Sequence, residues 1–254
     1  MSLVSTGLFA SLLAGLATGV GALPALFFNK VSDRLMSALL GGAAGIMLAA
    51  TSFSLVVPAI EHGNLLWPGY GVFVAAIGIL LGALCLDLVD RLLPHEHFIL
   101  GHEGPASRMK RIWLFIIAIT IHNFPEGLAV GVGFGGGNIT NGISLAIGIG
   151  LQNMPEGLAV ALPLVGLGYK RLSAVSIALL TGLVEPVGGL LGVGAVSVFH
   201  PVLPLGMAFA AGAMLFVISD EIIPETHAKG RSRLATFGII IGFVIMMALD
   251  NLLG

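Results

Sequence analysis

A nine-residue phrase rich in possible metal ligands occurs twice in this chain, as HNFPEGLAV at residues 122–130 and as QNMPEGLAV at residues 152–160. Side chains three and four residues apart lie on one face of a helix. The candidate ligands on these faces are His122, Asn123 and Glu126 in the first copy and Gln152, Asn153 and Glu156 in the second. Imidazole, amide and carboxylate groups suit a divalent cation, so two facing helices of this kind would form a polar cage for one.

Each copy of the phrase also has a proline in the middle of the predicted helix. Because Pro125 and Pro155 have no backbone N–H, the carbonyls of Ile121 and Leu151 lose their usual hydrogen-bond partners. Such carbonyl oxygens are hard ligands and would add to the cage. The alternative is that the two prolines only kink the helices.

The composition places this cage inside a membrane. The chain is 57% hydrophobic and 9% charged, with a mean hydropathy of +1.04, whereas soluble domains are about a quarter charged. The 37 glycines fit close packing of helices in lipid. Cys85 is the only cysteine, which excludes an intrachain disulfide and a thiolate metal cluster. The first apolar stretch lacks a basic leading segment and is long enough to span, so we interpret it as a membrane helix and not a signal peptide.

Apolar runs of about twenty residues predict an all-α membrane protein with eight transmembrane helices in a single domain, residues 1–254. The predicted spans are 5–28, 35–60, 69–93, 112–135, 142–165, 173–198, 202–223 and 234–253. All eleven basic residues fall in alternate connections. These are Lys30, Arg34, Arg91, Arg108, Lys110, Arg111, Lys170, Arg171, Lys229, Arg231 and Arg233. By the positive-inside rule those connections are cytoplasmic and both termini lie outside.

The order of the spans also suggests an internal repeat. Spans one to three and six to eight form two three-helix blocks that flank the two motif helices, and a displacement of five spans gives the blocks opposite topology. Inverted repeats of this kind are typical of transporters that bind their substrate near the bilayer midplane. We therefore predict inverted three-helix repeats around a central site.

The phrases HNFPEGLAVG and QNMPEGLAVALPL resemble the fourth and fifth helices of the ZIP (Zrt-, Irt-like) divalent metal transporters, and ISDEIIPETH at 218–227 resembles the seventh helix of their GufA-like bacterial branch. The resemblance implies uptake of zinc, with cadmium, iron and manganese as other substrates, through one or two adjacent metal positions between helices four, five and six. It implies that Glu185 of the sixth helix and Met47 of the second also bind metal. Several relatives have aspartate at the position of Asn153, so the second metal position has one negative charge fewer here.

The three glutamates inside the predicted spans have a functional and a structural interpretation. Glu126, Glu156 and Glu185 could be structural hydrogen-bonding residues, but no membrane-embedded lysine or arginine can pair with them. A cation or protons then supply the counter-charge, because carboxylates inside a membrane are rare and usually functional. Met47 could equally be a packing residue of the core.

Two further groups of residues lie near the predicted mouths. Ser54 and Glu61 are seven residues apart on span two and Asp250 ends span eight, so together they could form an outer entrance; the alternative is a solvated helix end. Acidic and histidine residues near the cytoplasmic ends of spans three and seven could form an exit relay or a sensor. They are Asp220, Glu221, Glu225 and His227, and His95, Glu96, His97, His102 and Glu103.

The leading hypothesis is a metal transporter of the cytoplasmic (inner) membrane. Its expected partners are divalent metal ions and the lipid bilayer, with no resident cofactor and no nucleic acid; a homodimer is left open. The alternatives are a membrane di-metal carboxylate enzyme and a metal-selective channel or sensor. Against the enzyme, the sequence has no paired Glu-x-x-His signature and no HExxH motif.

Overall fold

The computed structural model describes residues 2–97, 101–103, 111–227 and 232–253. Within these residues, eight helical segments are long and apolar enough to cross a membrane, as predicted. Numbered one to eight in chain order, these spans are Leu3–Leu26, Asp33–Leu66, Gly71–Leu92, Ile116–Gly135, Ile139–Gly166, Arg171–Val198, His200–Ile222 and Arg233–Leu252. The predicted bounds agree to within a few residues, except that span two extends to Leu66.

The spans are built from eleven α-helices in the described part of the chain. They are α1 Leu3–Ala22, α2 Asp33–Ala49, α3 Val57–Leu66, α4 Gly71–Leu92, α5 Arg111–Gly135, α6 Ile139–Gly166, α7 Arg171–Gly182, α8 Glu185–Val198, α9 Leu203–Val217, α10 Ile223–His227 and α11 Ser232–Leu253. Side chains of Ser2, Ser32 and Asn138 accept hydrogen bonds from the first turns of α1, α2 and α6. Such N-caps satisfy amides that a helix leaves unpaired.

Three spans are interrupted. Span two contains a π-helical segment at Ala50–Val56, and span seven contains one at Ile218–Ile222. Span six breaks between α7 and α8, so that Glu185 begins a new helix. By contrast, α5 and α6 run on through Pro125 and Pro155. Because π-turns occur often at functional sites, the π-helical segments in spans two and seven are candidate functional regions.

The packing of the helices follows the predicted repeat. Helix α1 packs on α6 and α5 packs on α8, which pairs span one with five and span four with six. Likewise α2 packs on α11 and α4 packs on α9, which pairs span two with eight and span three with seven. Exchanging spans one and six, two and seven, three and eight, and four and five leaves these pairings unchanged. The two π-helical segments lie in spans that this exchange relates.

Glycines allow the helices that carry the repeated phrase to touch their neighbours. A Cβ atom added at Gly127 would overlap the backbone oxygen of Glu185, and one added at Gly157 would overlap that of Thr18. Small residues permit this close approach of backbones in a membrane. Gly127 and Gly157, which follow the motif glutamates, therefore allow α5 to contact span six and α6 to contact span one.

The connection after span three differs from the sequence-based expectation, which was a loop. Strands β1 His95–His97 and β2 Gly101–Glu103 pair antiparallel, with His95 opposite Glu103 and Glu96 opposite His102. The apolar runs that located the spans carry no information about such a short hairpin. The strand side chains lie outside the described residues.

Candidate metal site

The central polar group is built from three buried glutamates. Glu126 lies on α5, Glu156 on α6, and Glu185 is the first residue of α8; they are 0%, 4% and 0% exposed. The position of Glu185 favours its negative charge, because the N-terminus of a helix carries a partial positive charge. Pro186 follows it within the first turn, where proline is compatible with a helix start.

Two amide side chains donate hydrogen bonds to two of these carboxylates. Gln152 donates from Nε2 to Glu126 Oε1 over 2.7 Å. Asn153 donates from Nδ2 to Glu185 Oε1 over 2.6 Å and to the backbone oxygen of Ala14 over 2.9 Å. The structure therefore brings the predicted fifth-helix residues to the glutamates, with their amide nitrogens toward the carboxylates.

The remaining oxygen atoms of the glutamates have no hydrogen-bond partner. They are Glu126 Oε2, Glu185 Oε2 and both oxygens of Glu156. The Glu126 carboxyl also interacts electrostatically with those of Glu156 and Glu185, and the sequence has no lysine or arginine between residues 112 and 169. Buried acceptors without partners are costly, and buried negative charges need a counter-charge. The donor set fits a divalent cation as its substrate.

His122 contacts a residue that the sequence had placed in the exit group. Its Nε2 atom lies 2.6 Å from Glu221 Oε2, and both side chains are buried. Asp90 near the end of α4 is 5% exposed and acts electrostatically on His122. Glu221 lies in the π-helical segment of span seven. A π-turn contains more residues than an α-turn, so it changes the direction in which the side chains point. The pair therefore joins spans four and seven beside the glutamates.

Sequence reasoning did not single out Asp90. The signal that could have found it is the pair Asp87 and Asp90 near the end of span three, since a membrane carboxylate calls for an explanation. Asp87 forms an ion pair with Arg91, at 2.9 Å.

Asn123 and Met47 are both buried but differ in their surroundings. Neither amide atom of Asn123 has a hydrogen-bond partner, so its oxygen is available to a cation and its nitrogen can donate to an acceptor such as water. Met47 is 1% exposed and belongs to the large apolar core, which also contains Leu55 and Met214. Its surroundings match the packing alternative, and its role as a ligand stays a prediction.

The predicted entrance group is only partly assembled. Ser54 Oγ donates to Asp250 Oδ1 over 2.6 Å, and Asn141 Nδ2 donates to the Ser54 backbone oxygen over 3.1 Å. Ser54 itself has no exposed surface, whereas Glu61 is exposed on α3. Ser54 lies within the π-helical segment Ala50–Val56, which changes the phase on which the seven-residue spacing relied. Asn141 was not predicted from the sequence.

The predicted exit group is dispersed among the described residues. Asp220 is exposed, whereas Glu221 is buried against His122. His227 Nδ1 lies 2.9 Å from the Ile223 backbone oxygen and its Nε2 lies 3.1 Å from Thr236 Oγ1, so it links α10 to α11. The side chains of Glu225, His95, Glu96, His97, His102 and Glu103 lie outside the described residues.

In this structure, the described acidic and histidine side chains do not form a closed metal cluster. Within the described ranges, no group of three or more His, Cys, Asp or Glu side chains is arranged to hold a metal ion. Gln152, Asn153 and Glu221 instead contact Glu126, Glu185 and His122, respectively. A cation would have to displace or reorient some of these contacts.

Comparisons with known proteins agree with the fold and the site. A family model described as ZIP zinc transporter matches residues 95–250. Zinc transporter GufA of Myxococcus xanthus is 49% identical over 99% of this chain and 100% of its own length. Zinc transporter ZIPB of Bordetella bronchiseptica is 47% identical over 94% of this chain and 78% of its length. Zinc transporter ZIP11 of Homo sapiens is 37% identical over 93% of this chain and 94% of its length.

The matches to the three relatives extend over nearly the whole chain, and the residues matched by the family model include both copies of the repeated phrase. With its eight apolar spans, this is a multi-pass membrane protein. The chain belongs to the ZIP zinc transporter family, in its GufA-like branch.

Proposed function

We propose that this protein is a transporter that carries divalent metal, zinc above all, toward the cytoplasm through the buried site between spans four, five and six. The observation that carries the proposal is the set of three buried glutamates, Glu126, Glu156 and Glu185, whose free oxygens have no protein partner and no basic residue beside them in sequence. Relatives named as zinc transporters support the same substrate.

The proposed binding site combines His122, Glu126, Glu156 and Glu185, with Asn123, Gln152, Asn153 and Met47 as further candidate ligands. The mixture of imidazole and carboxylates suits zinc and also cadmium, ferrous iron and manganese. Because Nε2 of His122 contacts Glu221, this nitrogen cannot hold the contact and a metal at the same time. Loading through Nε2 therefore requires that His122 part from Glu221.

We assign the outer path to Ser54, Asp250 and Glu61. Ser54 is fully buried between Asp250 and Asn141, so the path past it is closed in this structure. Passage of a cation requires that Asn141 on span five separate from Ser54 on span two. Spans one, four, five and six pack with one another in pairs, and so do spans two, three, seven and eight. A movement of the first set against the second would separate Asn141 from Ser54.

The inner path begins at the contact between His122 and Glu221 and continues toward Asp90, Asp220 and His227. Positive charge in the connections on this side makes it the cytoplasmic side, which puts both termini outside and the protein in the cytoplasmic membrane. Metal ligands must be deprotonated to bind, so uptake should compete with protons and fall as the pH is lowered.

No observation favours the enzyme alternative, since the relatives are named as transporters. A carrier and a channel differ in their kinetics. The test is zinc flux into proteoliposomes containing the purified protein, measured against zinc concentration with and without a pH difference. A carrier predicts uptake that saturates at low zinc concentration. Linear flux up to high concentration would indicate a pore, and no flux of any divalent metal would contradict the proposed function.

A further inference from the structure

We propose that Asn153 is a positioning residue, whose amide fixes Glu185 against span one and acts on the cation through that carboxylate. The inference rests on the proposed function of the site. It assigns Asn153 a different role from that of a metal ligand, which the repeated phrase predicts for it.

The amide nitrogen of Asn153 is fully engaged. Its two acceptors are Glu185 Oε1 at 2.6 Å on span six and the Ala14 backbone oxygen at 2.9 Å on span one. An amide nitrogen carries two hydrogens, so both are used. Asn153 and Glu185 are each 0% exposed, so both bonds are shielded from bulk solvent.

Span one is shaped to receive the glutamate. A Cβ atom built at Gly15 would lie 3.4 Å from Glu185 Oε1, so the carboxylate already reaches the backbone of span one beside Ala14. Asn153 thus joins spans one, five and six at a single point. Of the two carboxylate oxygens of Glu185, only Oε2 stays without a partner for a cation.

The other copy of the repeated phrase provides a built-in comparison. Asn123 occupies the equivalent position on α5, and neither its nitrogen nor its oxygen has a partner. The two asparagines therefore have different roles, with Asn123 free to contact a cation and Asn153 holding Glu185. Because Asn153 Oδ1 also has no partner, direct ligation through this oxygen is the alternative that an experiment must separate.

Substitution by aspartate separates the two roles by the sign of its effect. A ligand that gains a negative charge should bind zinc more tightly. A donor that becomes a carboxylate loses both bonds and faces the Glu185 carboxylate and the Ala14 carbonyl, two acceptors that repel it. Losing a hydrogen bond to a charged group would weaken zinc binding roughly tenfold to hundredfold.

The experiment is calorimetric titration of the purified full-length protein with Zn²⁺. We expect Asn153→Asp and Asn153→Ala both to weaken binding by that factor, while Asn138→Asp, a matched control at an exposed asparagine whose side-chain oxygen accepts from the Asn141 N–H, leaves it unchanged. If Asn153 acts through Glu185, the effect of Asn153→Ala disappears when Glu185→Gln is also present. Tighter binding or a second zinc equivalent in Asn153→Asp would overturn the proposal, as would an equal effect of Asn153→Ala in both backgrounds.

Two further measurements keep the result interpretable. Thermal unfolding without metal identifies variants that fail to fold. If Asn153→Asp is among them, Asn153→Ser replaces it; serine keeps one donor and should weaken binding less than alanine, and equal losses would contradict the positioning role. Failure of the unmodified protein to bind Zn²⁺ would instead contradict the proposed function.

Discussion

Replacing Glu126 by glutamine removes a buried negative charge with little change of shape. Glu126 is 0% exposed; its Oε1 accepts from Gln152 over 2.7 Å, and its Oε2 has no partner. A glutamine keeps an oxygen that can accept the bond from Gln152. The substitution therefore removes the charge on which metal binding depends while retaining the hydrogen bond that holds the side chain.

The expected effects on stability have opposite signs with and without metal. Without metal, Glu126→Gln relieves the repulsion from Glu156 and Glu185, so we expect a higher Tm; for a chain of this size, each 1 kcal/mol of added stability raises the Tm by about 2–4 °C. With zinc at a hundredfold excess over its Kd, the unmodified protein should gain about 2.7 kcal/mol. The variant should lose this gain.

The assay is thermal unfolding of the purified protein with and without Zn²⁺, combined with zinc uptake by proteoliposomes. Glu61→Gln is the matched control, because it removes an exposed carboxylate; its metal-free Tm and its response to zinc should stay unchanged. A Glu126→Gln protein that unfolds at a lower temperature without metal, or that zinc stabilises as much as the unmodified protein, would refute this reasoning.

Two other predictions test the packing and the topology. Gly157→Ala should prevent stable packing of the helices, because the added Cβ overlaps the Thr18 backbone oxygen, whereas Gly166→Ala, with nothing within 4 Å, should be tolerated. The yield and the size-exclusion profile of each purified variant measure this. A normal yield and profile for Gly157→Ala would contradict the close contact. Cysteines placed beside Lys170 should react only from the cytoplasm and those beside Glu61 only from outside, and labelling of both from one side would overturn the topology.

The spans could be predicted from sequence because lipid imposes a simple rule on them. A run of about twenty apolar residues is needed to cross the bilayer, and eight such segments are found. The π-helical segments at Ala50–Val56 and Ile218–Ile222 do not change hydropathy, so the same rule could not detect them. They change which residues share a face, as Ser54 and Glu61 illustrate.

The polar residues of the centre could be predicted as a group, because carboxylates in apolar helices are rare. Their partners could not. An amide can donate or accept, and only the structure places the nitrogen of Gln152 on Glu126 and that of Asn153 on Glu185. The contact of His122 with Glu221 joins residues 99 positions apart, a pairing that depends on how span seven packs and turns.

The central claim is that a divalent metal crosses this protein through the glutamate site. The most direct measurement is zinc uptake by proteoliposomes that contain equal amounts of folded protein, either unmodified, His122→Ala or Glu126→Ala. Because both residues belong to the proposed binding site, we predict saturable uptake by the unmodified protein and its loss in both variants. Uptake at a near-normal rate by correctly folded Glu126→Ala protein would contradict the claim.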